Sequence, residues 1–350
     1  MLPKTFKPIL AALPLAILAA CGSDSAPSVV NNHTGTLSVA VTDAPVDSAT
    51  QVVVTFTGIS VKPASANEEV ENEDDSDVIE FHFDEPRSID LLELQGHVSE
   101  YLLTEAELEA GDYSWLRLHV LAEWDGVMDS YIELEDGTQH ELRVPSGAQT
   151  GLKLVGGFTI VEDTATDLTI DFDLRKSVIM PPPAQVGGAI LRPALRMVNT
   201  DETGAIEGEI SALLFAEKCA DPDAKPAVFV FPEGTPANEA SGAADDALAS
   251  ALVRYKNGAH RFEVGFLPEA AYDLAFTCDA QLDIPGVPSA MRFVPIEEPI
   301  VVEARGHVLM EFRPGLDIPP MPVPPADGLG NKPETPNDSE EEELEEDEEA

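Results

Sequence analysis

The chain is poor in basic residues and in cysteine, and its N-terminal apolar run is short. Lys and Arg number 20 against 65 Asp and Glu, which gives a formal net charge of −45. Because no basic stripe is present to neutralise phosphates, the composition excludes nucleic acid as a partner. The apolar run from Ile9 to Leu18 is too short to span a bilayer. The three cysteines show neither a CxxC motif nor the Cys/His spacing of a structural zinc site.

Residues 1–20 have the pattern of a secretory signal peptide. Two lysines precede the apolar run, and small residues then lead into Cys21. This pattern resembles the lipobox of bacterial lipoproteins, in which the signal peptide is removed and the cysteine becomes an acylated first residue. Residues 21–34 then form a tether. The alternative is an ordinary secretory signal with an incidental cysteine.

The resemblance implies a membrane partner, reached through a lipid anchor on Cys21. More than one acyl chain, such as palmitate, gives stable anchoring. Gly22 stands where the inner-membrane retention signal of enterobacterial lipoproteins has Asp. We therefore expect the protein to be anchored in the outer membrane. The sequence does not indicate which side of this membrane the domains face or what the oligomeric state is.

Two long segments consist of short stretches with apolar side chains at every second position. They cover residues 35–200 and 204–315, and this period of two is typical of half-buried β-strands. The fold class predicted is all-β, with two β-sandwich-like domains in tandem. Residues 316–350 are predicted to be a Pro-rich linker and a disordered acidic tail.

Local signals refine this prediction. Asp136-Gly137 and Asn257-Gly258 each separate two strand-like runs and predict β-hairpins. Gly58 interrupts the apolar alternation of its strand and predicts a bulge.

One short helix is also predicted. Thr104 and Glu107 have the spacing of a capping box, and Gly111 follows as a stop signal. Residues 238–250 are rich in alanine and are predicted to be a loop. The acidic stretch 68–77 is predicted to be a solvated loop.

Several motifs of the first segment resemble, in order, those of the bacterial lipoprotein domain known as domain of unknown function 4382. The matching stretches are Val41–Pro45, Ile89–Leu94, Ala110–Tyr113, Val144–Leu154, Ile170–Val178 and Leu191–Arg196. The resemblance covers about residues 35–199 and implies a secreted, lipid-anchored β-domain. This family has no established activity, so no catalytic residue is carried over.

The second segment is similar, more loosely, to transthyretin-like and carboxypeptidase-regulatory β-sandwiches. Phe262–Pro268 runs into Tyr272–Leu274 as their strand, Leu-Pro turn and Tyr strand do. Ala271 stands where those domains have Gly. The resemblance implies a fold class and no ligand.

Cys219 and Cys278 remain as an even pair once Cys21 is assigned to lipid. In an oxidising compartment such a pair predicts a disulfide. Cys278 also falls on the apolar face of a strand, so a buried free thiol is the competing interpretation.

Asp171 and Asp173 are two residues apart on a predicted strand and therefore share a face. Together with Asp43 from a turn, they suggest a calcium site, and no other cofactor is predicted. Calcium needs six to eight oxygen ligands, which these residues alone do not supply. The alternative is a solvated face, salt-bridged through Arg175.

Trp115, Arg117 and His119 share the face opposite an apolar strand face. An exposed aromatic ring beside an arginine suits stacking against a sugar or a protein partner. A second sheet packed over that face is the alternative.

We expect a non-enzymatic binding or structural role at the cell envelope, with a glycan or an envelope protein as ligand. No catalytic residue is predicted, because Pro145-Ser146-Gly147 is not the G-x-S-x-G nucleophile elbow. The alternatives are a secreted carbohydrate-active hydrolase and a calcium-stabilised adhesion module. A hydrolase would need a cleft with two facing carboxylates.

Overall fold

The computed structural model of the chain is predominantly β, as predicted. From His33 onward the chain forms one compact unit. The residues described are 33–44, 49–64, 77–145, 151–180, 188–192, 194–237, 247–283, 291–296, 298–314 and 321–323. Cys21, most of the acidic stretch 68–77 and the acidic tail lie outside them. No helix in the described residues is long and apolar enough to cross a membrane.

Within the residues that the structure describes, a first β-sandwich contains thirteen strands in two sheets. The strands are β1 (Thr34–Ala44), β2 (Ala49–Pro63), β3 (Ile79–Asp90), β4 (Glu100–Glu109), β5 (Gly111–Leu121), β6 (Tyr131–Leu134), β7 (Gln139–Arg143), β8 (Leu152–Leu154), β9 (Phe158–Ile160), β10 (Ala165–Asp173), β11 (Val178–Ile179), β12 (Ala189–Leu191) and β13 (Leu195–Asn199). One sheet has the order β13-β10-β1-β4. The other has the order β11-β12-β7-β6-β2-β5-β8, with β3 and β9 paired to β2 and β5. A short helix, α1 (Leu174–Ser177), follows β10.

The alternating sequence pattern explains the core of this sandwich. Leu37, Val39 and Val41 of β1 point to one side and are fully buried. The predicted bulge in β2 is confirmed, because the register shifts between Phe56 and Gly58. A Cβ atom on Gly58 would lie 2.5 Å from the carbonyl oxygen of Phe81, so the bulge needs glycine.

A second β-sandwich follows after residue 202. Its elements are β14 (Thr203–Ile210), α2 (Ala212–Lys218), β15 (Ala227–Pro232), β16 (Ala249–Leu252), β17 (Arg254–Lys256), β18 (Ala259–Pro268), β19 (Ala270–Thr277), β20 (Phe293–Pro295), β21 (Ile300–Val302), β22 (His307–Phe312) and β23 (Met321–Val323). The sheets have the orders β17-β18-β14-β22-β23 and β16-β15-β19-β20, with β21 paired to β19.

Both predicted hairpins are confirmed. β6 and β7 pair across Asp136-Gly137, and Gly137 has a φ of 79°. β17 and β18 pair across Asn257-Gly258, whose φ angles are 55° and 85°. Two consecutive left-handed residues are what a type I′ turn requires.

The predicted helix after Thr104 is wrong. Residues 100–109 form strand β4, which pairs antiparallel with β1 at the edge of its sheet. The buried side chains Leu102 and Leu108 are an even number of residues apart, as a strand requires. Long-range pairing with β1 therefore overrides the local capping-box spacing.

Two further segments differ from their sequence predictions. Ala249–Leu252, at the end of the predicted alanine-rich loop, forms β16 and pairs with β15. Small side chains suit this buried strand. Met321–Val323, within the predicted Pro-rich linker, forms β23 and pairs with β22. A proline is tolerated there because β23 is an edge strand.

Candidate binding site

The two sandwiches are joined by buried polar contacts from α1. Arg175 Nη1 donates a hydrogen bond to the carbonyl oxygen of Ala280 over 3.0 Å. Its guanidinium carbon also lies 5.5 Å from the ring centroid of Phe229. Lys176 Nζ donates to the carbonyl oxygen of Ala247 over 2.6 Å. Two consecutive residues of the first sandwich thus bind the backbone of the second.

A second contact lies where the segment before β4 meets β18. The backbone N–H of His97 donates to Glu263 Oε1 over 3.2 Å, and the imidazole forms an ion pair with the same carboxylate. A Cβ atom on Gly265 would lie 2.2 Å from the carbonyl oxygen of Gly96. The backbones therefore approach here more closely than any side chain would allow.

Gly96, Glu263 and Gly265 of this second contact line a cavity of about 300 Å³, which we call the junction cavity. Thr42, Gln95 and Asp171 line the wall formed by the first sandwich. Arg254 and Arg261 line the wall formed by the second. Its volume is at the lower end of the range for small-molecule sites.

The carboxylates of Asp171, Glu207 and Glu263, which line the cavity, each have a side-chain partner. Arg196 Nη2 donates to Asp171 over 2.7 Å. Glu207 lies 3.5 Å from Arg261, and Glu263 is bound by His97, as described above. Each of these three carboxylates is thus engaged by a neighbouring side chain.

Asp43 also borders the junction cavity, but its carboxyl group is buried. Both oxygens are shielded from solvent and lack a hydrogen bond of good geometry. Burial, reinforced by the negative charges of Asp171 and Asp173, raises the pKa of Asp43 well above its usual value, while the backbone N–H of Leu174 opposes this. A carboxyl group without solvent access cannot contact a ligand in this structure.

The three aspartates of the calcium hypothesis lie close in space. Asp173 accepts from the backbone N–H of Lys176 as the cap of α1 and forms a 3.2 Å ion pair with its ammonium group. Arg175 does not share their strand face, because β10 ends at Asp173. Within the described ranges, no group of three or more His, Cys, Asp or Glu side chains is arranged to hold a metal ion.

The face of Trp115, Arg117 and His119 is neither open nor covered by a second sheet. The Trp115 side chain is buried beneath two cations: Arg117 Cζ lies 4.7 Å and Lys153 Nζ 4.9 Å from its ring centroid. His119 forms a hydrogen bond with Ser60, and burial lowers the pKa of His119 below its usual value. An indole covered in this way offers no free stacking surface.

A row of cations at the cavity was not identified from the sequence. Arg254 lies directly opposite Arg261 in the β17–β18 ladder, and Lys256 is two residues further along the same strand face. We call these three residues the cation row. Arg261 forms ion pairs with Glu207 and Glu209. Arg254 and Lys256 are exposed and form no ion pair with any described residue.

Cys219 and Cys278 form a disulfide bond, with their Cα atoms 5.3 Å apart. The bond connects the C-terminal end of α2 to the residue after β19. Cys278 belongs to the apolar core, so the bond fixes the helix to the centre of the second sandwich.

Residues 34–193 match the family described as domain of unknown function DUF4382. This range corresponds to the first sandwich up to the start of β13. No curated protein matches the sequence.

Several solved structures align with the chain at low similarity. The TIE protein of Bacillus anthracis is 11% identical, with a TM-score of 0.17, over 79% of this chain and 33% of its own. The tip fimbrial protein Mfa3 of Porphyromonas gingivalis is 10% identical, with a TM-score of 0.24, over 83% and 98%. The minor pilin GBS52 of Streptococcus agalactiae is 8% identical, with a TM-score of 0.15, over 81% and 98%. This chain thus spans about a third of the TIE protein, and at such scores the alignments carry no argument about function.

Proposed function

We propose that this chain, whose residues 34–193 form a DUF4382 domain, is a non-enzymatic binding protein of the cell envelope. Its ligand, a glycan or part of an envelope protein, enters the junction cavity. The protein is held at the outer membrane by acyl chains on Cys21.

The observation that supports this proposal is the construction of the junction cavity. Gly96 and Gly265 line opposite walls and are in close contact, and the backbone N–H of His97 donates to Glu263 beside them, so the cavity is preformed. Its lining combines polar side chains with apolar ones, as small-molecule sites do. A preformed site reduces the entropy that is lost on binding.

The charges around the cavity favour binding over hydrolysis. A glycosidase needs one carboxylic acid and one carboxylate facing the scissile bond. Asp43 has the raised pKa of an acid, yet both of its oxygens are closed to solvent. The carboxylates of Asp171, Glu207 and Glu263 are engaged by Arg196, Arg261 and His97. This arrangement positions a ligand without supplying proton transfer.

A variant that fills the cavity tests the proposal. Leu252 lines the junction cavity and is half-buried, so Leu252→Trp should occupy part of its volume. Binding to a glycan array, and retention of proteins from an envelope extract, should fall at least tenfold. Val301→Trp is the matched control, because Val301 is exposed and does not line the cavity. Equal binding by both variants would contradict the proposal.

The lipid anchor is tested separately. In cells fed radiolabelled palmitate, the unmodified chain should incorporate label and sediment with membranes. Cys21→Ser should lose both, because no described helix can hold the chain in a membrane. Label in the Cys21→Ser chain at the level of the unmodified chain would exclude this anchor.

A further inference from the structure

The cation row is unusual in a chain of net charge −45. Arg254 and Arg261 are directly opposite each other in an antiparallel pair, where like charges destabilise a sheet. Glu207 and Glu209 neutralise Arg261, and no described residue forms an ion pair with Arg254 or Lys256. The row therefore has capacity for further carboxylates.

The same chain carries a segment of complementary charge. Residues 338–349 contain ten carboxylates in twelve positions. This acidic run and the 14 residues before it, 324–337, follow directly after β23. β23 belongs to the same sheet as the cation row.

The connecting residues are long enough to reach the row. Four strand spacings separate β23 from β17, or about 19 Å. The two ends of the span also differ in position along the strands. On β14, the row that contains Ala205 and His307 lies four residues from the row that contains Glu209 and Arg261. This offset corresponds to about 13 Å. The span is thus about 23 Å, whereas 14 extended residues reach about 46 Å.

We propose that the acidic run 338–349 docks on the cation row of its own chain. Its carboxylates pair with Arg254 and Lys256. Because the run is tethered to the same chain, its effective concentration at the cation row is in the millimolar range. A free anion has no such tether and is repelled by the net negative charge of the protein. The cation row lines the junction cavity, so docking brings carboxylates to the cavity. This inference goes beyond the function proposed above.

Zero-length cross-linking of the full chain tests this docking. A carbodiimide joins a carboxylate to a lysine amine only when the two are in contact, and peptide mass spectrometry identifies the pair. At low ionic strength the run should cross-link to Lys256 at least fivefold more than to Lys218, which is also exposed. The preference should disappear near 1 M salt, where the Debye length is about 3 Å. An even distribution over both lysines at low salt would overturn the proposal.

Two further experiments show which copy of the chain supplies the docked run and which residues bind it. In a mixture of isotopically heavy and light chains, cross-links should join peptides of equal label. Mixed pairs would mean that the run of a second copy docks, which also overturns the proposal. Arg254→Gln should lower the Lys256 cross-link at least threefold. Arg292→Gln removes the same charge from an exposed arginine outside the row and should leave the yield unchanged. Equal yields in both variants would count against the row as the docking site.

Discussion

Arg175 of the first sandwich and Asp283 of the second form an ion pair in which both side chains are buried. Arg175 Nε lies 3.9 Å from Asp283 Oδ2, and the side chains are 4% and 1% exposed. The pair links α1 of the first sandwich to the residue after the short turn Ala280–Leu282 of the second. The junction is therefore sensitive to charge at these two positions.

Arg175→Met should destabilise the protein by about 3–5 kcal/mol, because it removes one partner of a buried ion pair. Denaturant unfolding measures this loss. The double variant Arg175→Met/Asp283→Asn should be more stable than the single variant, since the buried charge is then removed. Arg292→Met, which removes a largely exposed arginine, should destabilise the protein less than Arg175→Met does. A double variant no more stable than Arg175→Met would argue against this account.

The free energy of unfolding of the Asp43→Asn variant, relative to that of the unmodified chain, should increase as the pH rises. The folded state holds the pKa of Asp43 above its usual value, so the folded state keeps a proton that the unfolded chain releases above about pH 4. Between those two pKa values the unmodified chain loses about 1.4 kcal/mol per pH unit, and the Asn variant lacks this loss. Unfolding curves from pH 4 to pH 8 measure the difference.

The exposed Asp84 supplies the control for this experiment, because Asp84→Asn removes the same charge from the surface. An equal change of stability with pH in Asp84→Asn and Asp43→Asn would show that the effect does not come from burial of Asp43. A constant difference between Asp43→Asn and the unmodified chain would show that the Asp43 carboxyl is ionised in the folded protein.

The disulfide should contribute up to about 4 kcal/mol in the chain-entropy description of a closed loop of this length. Its cysteines are 59 positions apart in sequence. Cys219→Ala/Cys278→Ala should lower the midpoint of unfolding. A reductant should lower that of the unmodified chain and leave the double variant unchanged. Two titratable thiols from Cys219 and Cys278 in non-reduced, denatured protein would contradict the bond.

Truncation after Gly330 should leave the melting temperature within about 2 °C at moderate salt. The acidic run offers one large apolar side chain, Leu344, and cannot offset the entropy lost on ordering. Pairing with exposed cations adds less than about 1 kcal/mol. A chain ending at Gly315 also loses β23 and should melt at a lower temperature. A large loss after truncation at Gly330 would show that the tail belongs to the folded core.

Much of the fold could be predicted from sequence because strand alternation and hairpin turns are local signals. Asn257-Gly258 specifies both the turn and the register of β17 against β18. That register also places Arg254 opposite Arg261, so the cation row was within reach of sequence reasoning. The incorrect helix at Thr104 arose from the same reliance on local spacing, because only pairing with β1 identifies that segment as a strand.

The junction cavity could not be predicted in this way. Thr42, Asp171 and Arg254 are separated by more than 80 residues from one another and meet only through packing of the sandwiches. The covering of Trp115 has a similar origin. Its face was predictable, but Lys153 reaches the ring because β8 pairs with β5.

Strand β4 has a consequence for how copies of the protein behave when they meet. It lies at the edge of its sheet and exposes Glu100, Glu105, Glu107 and Glu109. An edge with unpaired backbone groups is a template for joining sheets from different molecules. Here two such edges would bring rows of carboxylates together, and their repulsion opposes the first contact. The acidic side chains of this strand thus protect the protein from intermolecular sheet extension at high local density.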